Sequence, residues 1–167
     1  LVLDEVRLPG DAVLPGVTGM KGPLSCLTEA RFGIVWGSMG AARSCFGSAL
    51  EYAKTRVQWG KPIGGFQLTQ RKLADMVLEL NKGTLLALHL GRMKDEGRLL
   101  PQHVSMGKLN NVREALEIAR EARSILGASG NPDVPGLGFN VQTDERWALP
   151  NPTGTDGVYA AYCPPHY

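Results

Sequence analysis

The sequence is poor in the residues that build covalent or metal frameworks. Its three cysteines, Cys26, Cys45 and Cys163, are odd in number and never spaced as C-x-x-C. Neither a disulfide scaffold nor a thiolate metal site is therefore indicated. The three histidines, His89, His103 and His166, show no i, i+4 pair and no H-E-x-x-H, which argues against a zinc enzyme. No apolar run approaches the ~20 residues of a membrane span. The opening Leu-Val-Leu-Asp-Glu-Val-Arg lacks the basic-then-apolar pattern of a secretory leader. Charge is scarce too: 20% of residues are charged, and the net is only +2. That excludes the strongly basic surface of a nucleic-acid or polybasic membrane binder. A reduced, soluble setting is the expectation, cytoplasmic or, in a eukaryote, the mitochondrial matrix.

What is present is apolar material, 43% of 167 residues, enough for one buried core. It is unevenly distributed. Residues 131–167 hold six of the eleven prolines, a single basic residue (Arg146) and four acids, whereas residues 1–130 carry 17 basic and 12 acidic groups. Three segments follow: 1–20, 21–130, and a divergent Pro-rich tail, 131–167, expected to be irregular.

Residues 1–20 read as extended, with Pro9-Gly10 and Pro15-Gly16 as turns, and suggest a remnant β-strand. From about Leu24 to Thr55 the period turns helical, through Leu27, Phe32, Ile34, Val35, Met39 and Phe46. This helix also carries Gly33, Gly37, Gly40 and Gly47. Each costs about 1 kcal/mol against alanine, so they imply close approach of another helix or a ligand, or simply tight packing. After a loop at 58–65, a second helix spans about Phe66 to Glu96, and Gly97 is placed to end it. Pro101 suits the first turn of a third helix reaching about Leu126. The expected fold is all-α, an antiparallel helical bundle with three long helices evident, preceded by the short strand.

Two features stand apart from core building. In Arg56-Val57-Gln58-Trp59-Gly60, a guanidinium fork matches phosphate oxygens, an amide bonds a phosphate or base edge, and an indole stacks on a flat ring. In Gly127-Ala128-Ser129-Gly130, small residues let backbone approach a ligand. Each alone has an ordinary explanation, a surface cation–π pair for the first and a helix cap for the second.

Together with their surroundings these residues resemble a family. Arg56-x-Gln58-Trp59-Gly60-x-Pro62-Ile63-x-x-Phe66-Gln67, followed by Leu73-Ala74-Asp75-Met76, is similar to the signature R-x-Q-F-G-x-P-[IL]-x-x-x-Q…L-A-x-M of the acyl-CoA dehydrogenases. Ala30–Gly37, Leu90–Asp95, Lys108–Asn111 and Ala119–Arg123 most resemble the glutaryl-CoA branch. The resemblance covers about residues 1–130. It implies the end of a middle β-domain plus most of a C-terminal four-helix bundle, in a family of homotetramers built from dimers. It implies FAD as cofactor, an acyl-CoA as substrate and an electron-transferring flavoprotein as acceptor, without nucleic acid or a membrane span. Arg56, Gln58 and Trp59 would touch the ADP half of FAD, in the neighbouring subunit, with Gln67 nearby. Gly127, Ala128 and Gly130 match the family's G-G-x-G loop against the partner's FAD, with alanine at its second glycine. Arg31 would lie at the acyl-CoA site.

The family's chemistry is α,β-dehydrogenation, with decarboxylation to crotonyl-CoA in the glutaryl branch, and it needs a glutamate to take the α-proton. In that branch the base sits in a Tyr-Glu-Gly-Thr motif. The nearest string here, Pro152-Thr153-Gly154-Thr155, has Thr153 in its place. Other branches place it immediately before the arginine, where this chain has Ala30; Glu29 is one residue, about 100°, further round the helix. The expectation is a fragment of such an enzyme, inactive alone. The alternatives are a non-catalytic helical oligomerisation module and a gene fragment that never folds stably.

Overall fold

A computed structural model describes residues 2–13 and 15–130, the last two by their backbone alone. The expected irregular tail, with Thr153, lies outside the described residues. Three helices dominate: α1 (Lys21–Thr55), α2 (Gln67–Asp95) and α3 (Pro101–Leu126). Between α1 and α2 stands a two-stranded antiparallel hairpin, β1 (Val57–Gln58) and β2 (Lys61–Pro62), in which Val57 faces Pro62 and Gln58 faces Lys61. Among the described residues no helix is long and apolar enough to cross a membrane.

Among the described residues of 1–20 the expected strand is not found. The described part is exposed and irregular, with one 3-10 turn at Gly10–Ala12. An isolated strand has no neighbour to take its backbone hydrogen bonds, so extended propensity alone yields no ladder. The hairpin in the expected loop 58–65 is the converse finding. Trp59 and Gly60 both have positive φ, +48° and +79°, the combination that lets a two-residue turn match strand twist.

Helix ends follow local chemistry. Pro23 lies in the first turn of α1, where a missing N–H costs no helical bond. Gly97, at φ +69°, closes α2: its N–H donates to the Lys94 carbonyl at 3.0 Å, and the Arg98 N–H donates to that of Met93 at 2.8 Å. At the head of α3 the Leu100 N–H donates to His103 Nδ1 at 3.2 Å, satisfying a donor the helix leaves orphaned.

The helices run up, down and up. At one level Asn111 of α3 donates to the Val35 carbonyl of α1 (2.9 Å) and the Gly83 carbonyl of α2 (3.0 Å). The main core joins Met39, Cys45, Ala49 and Ala53 of α1 to Met76 and Leu80 of α2 and Ile118, Ala122 and Ile125 of α3. The four α1 glycines do not explain the close approaches. A Cβ at Gly33, Gly37 or Gly47 would meet nothing within 4 Å, and Gly40 is exposed. Tight positions between helices include Gly83, against Met39 and Asn111, and Gly107, against Leu90 and Val35. Periodicity found the stripes but not every facing: Leu109, Leu88 and Val77 point outward.

Candidate functional site

The two features singled out from the sequence meet at one end of the bundle. Arg56 ends α1 in an extended conformation (φ −72°, ψ 117°), which turns the chain out of the helix into β1. The Ile63 N–H donates to the Arg56 carbonyl at 2.8 Å and closes the hairpin back onto it. Gly64 seats this connection on α1, where a Cβ would come 3.1 Å from the Ala53 carbonyl oxygen. The Gln70 amide donates to the Gly64 carbonyl at 3.1 Å. Across from the hairpin, α3 ends at Leu126 and Gly127 takes φ +58°.

Between them lies a groove of ≈ 360 Å³ lined by Tyr52, Arg56, Gln58, Ile63, Ile125, Leu126, Gly127 and Ala128. Its base is apolar, since Ile125 and Leu126 belong to the core and Ile63 packs on it. Its polar groups are the Arg56 guanidinium, the Gln58 amide and the Tyr52 phenol. Among the described residues Arg56 has no ion-pair or hydrogen-bond partner for its side chain, and Gln58 has none either. An unpaired guanidinium fork and an unpaired amide over an apolar floor suit an anionic group attached to a flat apolar body.

Four of the residues expected at a cofactor therefore converge: Arg56, Gln58, Gly127 and Ala128. The positive φ falls on Gly127 rather than Ala128, so alanine at the family's second glycine brings no backbone strain. Trp59 does not line the groove. It sits on the hairpin turn, 86% exposed, its ring edge-on to Phe66 with centroids 5.8 Å apart. Its left-handed backbone is uncommon for a bulky residue and costs on the order of 1–2 kcal/mol. Gln67 opens α2, exposed and away from the groove lining, and Gly130 ends the described chain. Sequence reasoning missed Tyr52, Ile63, Ile125 and Leu126. Tyr52 was accessible to it, because it precedes Arg56 by one helical turn and shares its face.

Arg31 is remote. It lies 25 positions before Arg56 on α1, about 38 Å along a straight helix. Neither expected position of a base carries one: Ala30 is exposed on α1, Glu29 is ion-paired with Lys94, and Thr153 lies outside the described residues. Cys45 is buried in the core, and burial pushes its thiol up to about 11, away from the thiolate form a nucleophile needs. Among the described residues no group of three His, Cys, Asp or Glu could hold a metal ion.

Comparisons with known proteins bear on the family and the fold. The family model for the acyl-CoA dehydrogenase C-terminal domain matches residues 18–150, running past residue 130, where the quoted motifs stop. A glutaryl-CoA dehydrogenase from Desulfococcus multivorans is 37% identical over 133 residues, 78% of this chain and 34% of that protein. A crystal structure of glutaryl-CoA dehydrogenase from Mycobacterium smegmatis superimposes with a TM-score of 0.74 at 68% identity, covering 77% of this chain and 33% of that one. A glutaryl-CoA dehydrogenase from the same organism, in complex with FADH2, gives the same TM-score at 56% identity and the same coverage. The chain thus spans about a third of the length of these relatives.

Proposed function

Since this chain belongs to the acyl-CoA dehydrogenase family, we propose that its groove holds the ADP half of FAD and that it is the C-terminal helical part of a glutaryl-CoA-type enzyme. The supporting observation is the convergence of Arg56 and Gln58 with Gly127 and Ala128, about 70 positions away, around one groove. The residues fit the cofactor's chemistry. Arg56 presents paired N–H donors to a pyrophosphate, Gln58 adds an amide, and the glycine backbone leaves room for close approach. Bound FAD supplies the hydride-accepting chemistry; these residues supply only its anchorage.

In the parent reaction the substrate is an acyl-CoA, glutaryl-CoA by preference, with decarboxylation to crotonyl-CoA, and an electron-transferring flavoprotein takes the electrons. The assembly is a homotetramer in which the groove serves the neighbouring subunit's FAD. The 167-residue chain by itself does not turn over, because alanine and threonine stand at the two positions a glutamate base would occupy. Dye reduction by the chain with added FAD and glutaryl-CoA or butyryl-CoA would overturn that statement.

Binding of FAD, and of ADP as the half-cofactor, to the full chain tests the groove by equilibrium dialysis. Arg56→Ala should weaken both by about tenfold or more, the worth of a charge-assisted fork, while leaving the thermal midpoint unchanged. Equal binding by wild type and Arg56→Ala would sink the assignment. An oligomerisation module without a cofactor role would elute identically on size exclusion with and without FAD.

A further inference from the structure

Helix α2 carries two rows of identical spacing. The first, Met76, Leu80, Gly83, Ala87 and Leu90, is buried in the bundle. The second, Ala74, Leu78, Asn81, Leu85 and Leu88, repeats the same steps of four, three, four and three, two positions earlier. Two positions are about 200° of helix, so this row looks out on the far side, and all five of its residues are exposed. Leu78 is 55% and Leu85 65% open to solvent. Apolar residues scattered singly over a surface need no explanation. A row that holds heptad spacing over about four turns is a seam for a second helix.

The edge of the row indicates which helix. Asp75 and Lys82 stand one heptad apart on the same edge. Each has an exposed partner on α2 itself, Arg71 at 3.8 Å for Asp75 and Glu79 at 2.8 Å for Lys82, and exposed pairs of this kind contribute little. Two copies of α2 laid antiparallel, with the two-fold axis between Leu78 and Asn81, satisfy this edge. Asp75 of each copy then faces Lys82 of the other, and the small Ala74 faces the large Leu85. A parallel pair would instead set Asp75 beside Gln70 and Lys82 beside Val77, with no opposite charge to meet.

Asn81 fits the same arrangement. Its amide donates to the Val77 carbonyl at 2.8 Å, its one side-chain hydrogen bond among the described residues. One N–H and the oxygen are left over. An amide both donates and accepts, so a second amide answers it. In the antiparallel pair the two Asn81 positions come within about 4.5 Å of each other along the axis. A single polar residue in an apolar seam fixes register and orientation.

We propose that the outward row of α2 is a contact between two copies of this chain, an antiparallel helix pair closed by two Asp75–Lys82 ion pairs. The surface is complementary to itself, as a two-fold contact requires. It gives the homotetramer reading a surface without resting on it, and its test uses neither FAD nor turnover.

The test is sedimentation of the full chain at about 1–100 µM, a range that brackets a micromolar dissociation constant. Wild type should pass from monomer towards dimer or a higher even assembly. Leu78→Lys/Leu85→Lys should weaken the association by about 100-fold, because it puts charge into the centre of the seam. Asp75→Lys and Lys82→Asp should each weaken it by about threefold to tenfold, by setting like charges across the axis. The double variant Asp75→Lys/Lys82→Asp should recover it. In that variant both pairs within α2 remain broken, so recovery comes only from across the contact. Should the leucine variant not fold, the charge variants carry the test, since Asp75 and Lys82 are exposed. A wild type that stays monomeric, as it would if another part of the chain covered the row, overturns the proposal. So does association that the leucine variant leaves intact, or a double variant no tighter than the single ones. FAD binding by a monomeric chain would sink this contact alone, and a dimer that ignores FAD would sink the groove alone.

Discussion

The two halves of the bundle are built on different principles. Towards the groove, the core is large and almost wholly apolar, with alanines along α1 and α3 and Met76 and Leu80 between them. Towards the other end, the fully buried apolar cluster shrinks to Val35, Ala87 and Leu90, and the buried polar residues Ser38, Lys108 and Asn111 stand beside or among it. Apolar packing is non-directional and tolerates sliding, whereas a buried amide that must find two carbonyls fixes one register. Asn111 ties three helices at a single level, so the polar half sets the alignment that the apolar half then stabilises. The groove depends on that alignment, because its two walls come from the ends of α1 and α3.

The strongest way to break this comparison is Asn111→Asp. A carboxylate would face the carbonyls of Val35 and Gly83 with no donor to offer them, at about 3–5 kcal/mol for a buried unpaired charge. Urea unfolding at pH 7 should show that loss, and it should shrink at acid pH as the group is protonated. Asn111→Asp unfolding like wild type would mean that the amide sets nothing.

The apolar half offers the next largest effect through Cys45. Burial raises its thiol from 9.0 to about 11. The unfolded thiol then ionises first, so folded-state stability is intact below pH 9 and is lost as pH climbs towards 11. At 1.36 kcal/mol per unit the loss is about 2–3 kcal/mol. Lys108 has the opposite sign, because a lowered lysine pKa makes stability rise with pH, so the Cys45 contribution must be isolated. The stability of wild type minus that of Cys45→Ala should fall by this amount across the interval. A flat difference would mean water reaches the sulfur.

The halves also differ in how far the sequence foretold them. Long stripes of apolar residues, a Gly97 stop and a Pro101 start set the three helices to within about three residues. The phosphate-fork reading of Arg56 and Gln58 needed only local chemistry, and both line the groove. What stayed hidden depended on contacts distant in sequence. The partnership of Gly127 with Tyr52 is one case, and the use of Asn111 as a three-helix pin is another. Burial of Lys108 is a third, because lysine on a helix reads as solvent-facing in any periodic pattern. The failed strand at residues 1–20 has the same origin in reverse, since its extended pattern had no partner segment to pair with.

The glycines give the smallest and sharpest contrast between facing and packing. Gly83 is held by tertiary contact, with a Cβ there 3.0 Å from the Asn111 oxygen and against the Met39 sulfur. Gly33, Gly37 and Gly47 of α1 meet nothing within 4 Å among the described residues. At an open helical site alanine restricts the unfolded chain and improves helix propensity, so Gly37→Ala should raise stability by about 0.5–1 kcal/mol. At Gly83 the same change must displace Met39 or disturb the Asn111 pin, which offsets the propensity gain and leaves no net stabilisation. Thermal melts of both variants decide between the two environments. Absence of a gain at Gly37, as at Gly83, would mean that the small-residue face of α1 is covered in the folded protein. The sequence's first reading, close approach by another helix or a ligand, would then hold for that face.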